Sequence, residues 1–386
     1  MVDKGRRDFL KIAVAGVAGL AIGGVSGFFS GSSAYQRRIL ELESEIEKLK
    51  SQTQAVLEKE LRVWNWSYYI NDALLDIFSE QTGIPRDRII YEEFEDPNYV
   101  LTKLEAGGSG YDVVILPDYC VDIARKKALL AELDKKMIPN VKFIDEKFRN
   151  PPYDPEWRFS IVYMWGSTGF AWRSEVEEGV TTLEQIFNPD HEFLQKYKKK
   201  ISMLEEAMEV ICFAKAYLGK DVNDWSDSTL QEVKEVLLAQ RPYLAGYMGT
   251  EKYYPGLKIG TIYVAQAYNG DIVRLRGEFE SVSFAVPEEG GTIWTDNLCI
   301  PKDAPHKNSA HAFINFLLDP AVSAVNSEFI GYATPVKASW QFIEEMLEDP
   351  VIYPPEEIQK KMWLIPSVSD EIRRKITKLM LEVKAG

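Results

Sequence analysis

The chain of 386 residues is long enough for two globular units of ordinary size, and with 46% hydrophobic and 27% charged residues it is neither disordered nor fibrous. Its 59 acidic and 45 basic residues give a formal net charge of -14, which disfavours nucleic-acid binding, where a basic field is needed, and favours the approach of cations. Three cysteines, Cys120, Cys212 and Cys299, and three histidines, His191, His306 and His311, are scattered without the spacing of a metal site or a redox pair. The cysteines read as small buried apolar residues, and His306 and His311, near a helix start, as surface residues. No catalytic residue, metal site or cofactor is expected.

The chain opens on Gly5-Arg6-Arg7-Asp8-Phe9-Leu10-Lys11, followed by an apolar, glycine-rich run over residues 12–29. A twin arginine before such a run looks like a Tat-type export signal. The run is also about long enough to hold the protein in a membrane. No cysteine follows it to carry a lipid, while Ser32-Ser33-Ala34 offers small residues for cleavage. Residues 1–34 are therefore read as a signal and membrane anchor. Residues 35–60 are strongly charged, with Ile39, Leu42, Ile46, Leu49 and Val56 at alternating three- and four-residue steps. That seam is read as a helical stalk.

From Leu61 short apolar runs alternate with amphipathic stretches. Strands are expected over 61–66, 88–94 and 111–116, with helices over 71–81, 97–106 and 120–127 between and after them. This is the spacing of βαβ crossovers and a parallel sheet. Ligands of such sheets sit at the carboxyl ends of strands, which singles out Trp66-Ser67-Tyr68-Tyr69 and Pro117-Asp118-Tyr119. After the proline-rich turn at 150–155, strands are expected over 199–204, 258–263 and 281–286. Helices are expected over 205–218, 226–239, 308–318, 320–329, 338–347 and 369–384. Glu206 and Glu209, three apart near a helix start, would share a face.

Several segments, in order, resemble the spermidine/putrescine-binding proteins of polyamine ABC importers. They include Asn65-Trp66-Ser67-Tyr68-Tyr69, Trp165-Gly166, Glu205-Glu206-Ala207-Met208-Glu209 and Ala267-Tyr268-Asn269-Gly270-Asp271. The most specific are Glu289-Gly290-Gly291-Thr292-Ile293-Trp294-Thr295-Asp296 and Ile330-Gly331-Tyr332-Ala333-Thr334-Pro335. The resemblance implies an α/β, two-lobed, type II periplasmic-binding-protein-like fold, with a ligand cleft between lobes of 61–164 plus 296–335 and 168–292 plus 336–386. It implies aromatic ligand contacts at Trp66, Tyr69, Tyr119, Tyr268, Trp294 and Tyr332, carboxylates at Glu206, Glu209 and Asp296, and a hydroxyl at Ser67. It also implies an extracytoplasmic location and partners in the permease and ATPase of an importer. Departures fall at Tyr68, where the pattern is acidic, at Tyr268, usually a tryptophan, and at Pro117 and Leu364, where polar groups are usual.

The chemistry is coherent: each desolvated ammonium of a polyamine needs a carboxylate, and its methylenes and charges both suit aromatic faces. The alternatives are a binding protein for another small organic cation, a sensor subunit, and a hydrolase using Glu206 and Glu209. The last is disfavoured, since glycosidase carboxylates flank the bond from two sides.

Overall fold

The computed structural model describes residues 57–94 and 97–385; the expected signal and stalk, 1–34 and 35–60, lie almost wholly outside these residues. In chain order the main elements are β1 (Leu61–Trp66), α1 (Ala73–Thr82), β2 (Ile89–Phe94), α2 (Pro97–Ala106), β3 (Val113–Pro117) and α3 (Asp118–Lys126). Next come β4 (Ser160–Arg173), β5 (Ile201–Leu204), α4 (Ala207–Tyr217), α5 (Asp227–Gln240), β6 (Leu244–Met248), α6 (Thr250–Ile259), β7 (Val264–Tyr268) and α7 (Asn269–Glu278). The chain ends through β8 (Val282–Ala285), β9 (Ile293–Cys299), α8 (Lys307–Leu317), α9 (Pro320–Ile330) and α10 (Asp370–Ala385).

These elements form two compact units. The first holds the described residues through Tyr163, with Asp296–Ile330 and Thr334–Ile343; the second holds Met164–Thr295, Gly331–Ala333 and the chain from Glu344. The chain passes from one unit to the other inside β4 and inside β9.

In the first unit β1 pairs in parallel with both β2 and β3, and β3 pairs antiparallel with β9. The β1–α1–β2 and β2–α2–β3 crossovers follow the expected pattern, with α1 stopped by Gly83, whose positive φ of 74° suits a residue without a β carbon. Phe78 of α1 meets Phe313 of α8 edge-on, with ring centroids 5.1 Å apart, inside the apolar core. In the second unit β4 is flanked by antiparallel β7 and β8, while β5 pairs in parallel with β6 and β7. Phe170, Phe213, Val264 and Leu257 belong to its core.

Four differences from the sequence reading have physical causes. The long strand β4 had no expected counterpart, because twelve successive residues are buried and the alternation that marks a half-buried strand is absent. The strand expected over 258–263 is instead the end of α6, closed by Gly260, and the strand follows as β7. The helix expected over 338–347 is a tight turn, Lys337–Phe342, and a single helical turn, Glu344–Leu347, broken at Ile343. His306 and His311 are not surface residues in role. His311 is buried, with Nε2 accepting from the Asp134 amide at 2.9 Å, and His306 Nδ1 lies 2.9 Å from Asp112 Oδ2. All three cysteines are buried.

Asp112 ties the start of β3 to the start of α8. Fully buried, it accepts from the Arg62 amide at 2.8 Å and the His306 amide at 2.7 Å, besides the His306 ring. Asp112→Ala would leave two partly buried amides unpartnered, so a loss of about 1–3 kcal/mol is expected, read as a lower midpoint in urea denaturation with unchanged slope.

Candidate functional site

In the first unit the candidate residues gather where β1 ends. Trp66 is its last residue, and Ser67–Tyr68 form a tight turn in which Tyr68 takes a φ of 58° and donates its amide to Glu93 Oε1 at 3.1 Å. The turn sends Tyr69 back toward the core. There its carbonyl accepts from Tyr163 OH at 2.6 Å and from Asn65 Nδ2 at 3.3 Å. Asn326 of α9 holds this arrangement, donating to Tyr163 OH at 2.6 Å and accepting from the Asn71 amide at 2.9 Å. Tyr69 is thus placed by buried polar groups rather than by packing alone.

What this placement serves is Asp296. Tyr69 OH donates to its Oδ2 at 2.7 Å, and Trp66 Nε1 donates to its Oδ1 at 3.2 Å. The Trp66 ring in turn rests on Phe94, with centroids 4.7 Å apart. Asp296 sits on β9 opposite Pro117, at the carboxyl end of β3. It is only 7% exposed, and among the described residues no lysine, arginine or histidine pairs with it. Burial raises its pKa to about 6, although both hydrogen bonds pull downward. Ser67 and Tyr119 are not among its hydrogen-bond partners. Ser67 lies on the turn, and Tyr119 is half-buried at the start of α3, its amide donating to Asp118 Oδ1 at 2.6 Å.

In the second unit Trp294 and Tyr332 form a perpendicular pair, centroids 4.9 Å apart and planes at 88°. Both rings are half-buried. The Trp294 indole N–H has no hydrogen-bond partner among the described residues. Tyr268 ends β7 opposite Thr168. Its hydroxyl is held well above the ordinary tyrosine range by burial and then by the negative field of Glu209, Glu206 and Asp271.

The two glutamates do not act as a matched pair. Glu206 is the exposed N-cap of α4, accepting from the Met208 amide at 3.4 Å. Glu209 is buried, accepting from Thr168 Oγ1 at 2.8 Å and Thr292 Oγ1 at 2.7 Å, so it ties β4 to the approach of β9. A helical face counted from sequence could not reveal those threonines, since neither lies near Glu209 in the chain. Sequence reasoning also missed the supporting roles of Tyr163 and Asn326. Asn65 was visible only as one letter of a motif.

A family model described as bacterial extracellular solute-binding protein matches residues 73–353. The chain belongs to that family. Among these solute-binding proteins, the putrescine-binding periplasmic protein SpuD of Pseudomonas aeruginosa is 31% identical over 350 residues, covering 86% of this chain and 94% of that one. The putrescine-binding periplasmic protein PotF of Escherichia coli is 30% identical over 352 residues, with the same two coverages of 86% and 94%. The crystal structure of the spermidine/putrescine ABC transporter substrate-binding protein PotD from Streptococcus pneumoniae superposes with a TM-score of 0.79 at 28% identity, covering 85% of this chain and 99% of that one. The fold is accordingly the α/β periplasmic-binding-protein-like one.

The raised pKa gives this solute-binding protein a pH signature. The unfolded Asp296 carboxyl has an ordinary value of 3.8, so between pH 3.8 and about 6 the folded protein holds a proton that the unfolded chain has released. Its contribution to stability is therefore present in acid and lost as pH rises through 6. A cation bound beside Asp296 would reverse this by favouring the carboxylate. The rise in melting temperature caused by a small organic diamine is expected to be larger at pH 7.5 than at pH 5, with affinity falling up to about tenfold per unit below the pKa. Equal thermal shifts at both pH values would remove Asp296 as the cation acceptor.

Proposed function

We propose that this chain binds a polyamine outside the cytoplasm and hands it to an ABC importer. The observation that carries the reading is Asp296, a buried carboxylate framed by Trp66 and Tyr69 with no cationic side chain paired to it among the described residues. A desolvated charge without a partner is costly, and an ammonium group is the ligand that satisfies it. In the first unit the candidate ligand contacts are Asp296, Trp66, Tyr69, Ser67 and Tyr119. In the second they are Tyr268, Trp294 and Tyr332, suited to a methylene stem and ammonium charges, with Glu206 as an accessible carboxylate. Glu209 would act chiefly through the negative field it lends to that region. The names and similarity of the putrescine- and spermidine-binding relatives support the same ligand class and the importer partnership. In this reading the protein binds and releases its ligand without chemical change.

Calorimetric titration with putrescine and spermidine tests it. Binding of at least one is expected, and Asp296→Asn should weaken it tenfold or more, about 1.4 kcal/mol. Unchanged affinity in that variant would exclude Asp296 from the site. Putrescine is expected to bind at least as well as spermidine, because Tyr68 and Leu364 offer no charge for a third ammonium; a spermidine preference above about tenfold would refute this. Silence toward both, with a thermal shift from another organic cation, would transfer the site to that ligand class.

The same proposal includes Tat-type export and retention by residues 12–29. N-terminal sequencing of the membrane fraction is expected to find those residues still attached. A freely soluble protein starting near Ala34 would overturn the anchoring.

A further inference from the structure

Trp294 and Tyr332 both lie against backbone that has no room for a side chain. A β carbon on Gly166 would come within 2.5 Å of Trp294 Cη2 and 2.6 Å of Asn269 Oδ1, with another ring carbon closer still. One on Gly270 would reach the Tyr332 hydroxyl at 2.5 Å, again with ring carbons closer. Real β carbons do not approach neighbours within 3.0 Å. Neither glycine takes a positive φ, so backbone conformation alone would admit other residues here. What excludes a side chain is the space taken by the aromatic rings.

The floor under the rings has little freedom to yield. Asn269, next to Gly270 in the chain, is fully buried, and both halves of its amide are engaged. Its Oδ1 accepts from the Ser167 amide at 3.0 Å, and its Nδ2 donates to the Val351 carbonyl at 3.0 Å. It thereby joins β4, the start of α7 and the C-terminal segment. Gly166 is itself held within β4. When a methyl group is added at Gly166, the Trp294 ring is the group that must move, by roughly an ångström, and a binding constellation tolerates little of that.

We propose that Gly166, Asn269 and Gly270 are positioning residues that seat the Trp294–Tyr332 pair and so set the affinity for ligand; this rests on the polyamine reading above. The rings pack one edge against the floor and are thereby fixed as a perpendicular pair. A flexible aromatic pair would have to be ordered by each ligand that arrives, whereas a seated pair is ordered beforehand.

The test uses the full chain with Gly166→Ala, Trp294→Phe and the double variant. Putrescine affinity is measured by calorimetry, and unliganded stability by thermal unfolding with near-ultraviolet circular dichroism. Gly166→Ala is expected to weaken binding tenfold or more and to alter the tryptophan dichroism. In the Trp294→Phe background, which lacks the distal ring atoms that meet the new methyl and leaves only the contact with Asn269 Oδ1, the same change should cost clearly less in both affinity and melting temperature. Wild-type affinity in Gly166→Ala, or an equal loss in both backgrounds, would overturn the seating role. If Gly166→Ala does not fold, Gly270→Ala against Tyr332→Leu reads the same coupling. If the wild-type chain binds no polyamine, the ligand reading fails, while the dichroism and the non-additive melting temperatures still decide the seat.

Discussion

A single carboxylate organises the first unit. Asp296 is taken out of water and given two hydrogen bonds from aromatic residues, but no countercharge among the described residues. The surrounding polar scaffold follows from that demand. Tyr69 can donate to Asp296 only because its backbone is pinned by Tyr163 and Asn65, and Tyr163 in turn is fixed by Asn326. Two aromatic donors soften the desolvation of the charge without neutralising it, leaving a strong local field for a mobile cation to answer.

The second unit treats its charge differently. Glu209 is buried as deeply as Asp296, yet its oxygens are engaged by two threonine hydroxyls from neighbouring strands. It stiffens the framework and projects a negative potential toward Tyr268. The aromatic pair is governed by shape, through glycines that yield their side-chain space to larger neighbours. Charge in the first unit and shape in the second therefore make unlike demands on sequence.

Much of the fold was legible because α1, β2, α2, α8 and α10 each carry a local signal: a period, a stop at Gly83, or an amphipathic stripe. The strand β4 was not, since burial on every side erases alternation, and α6 was not, since Pro255-Gly256 inside a helix imitates a turn. The candidate site divides in the same way. Trp66, Tyr69, Trp294, Tyr332 and Asp296 could be singled out because they recur in ordered motifs, and the structure joins the first two to Asp296 and the next two to each other. The difference between Glu206 and Glu209 was out of reach, because Thr168 and Thr292 meet Glu209 only after the sheet has formed. The same holds for His306 and His311, whose partners Asp112 and Asp134 lie far off in the chain.

The three buried cysteines bear on how such a chain survives an oxidising compartment. Thiols react as thiolates, and burial pushes Cys212 up to about 12 and Cys299 well above its ordinary range. In the native state burial holds Cys212 and Cys299 as thiols at neutral pH. In an extended chain the same thiols would be free to pair wrongly, and an odd number guarantees that one is left to join another molecule. Folding before exposure to oxidant turns a hazard into inert packing. The Tat-type export proposed above, which carries proteins already folded, would suit this chain for a reason written in its core.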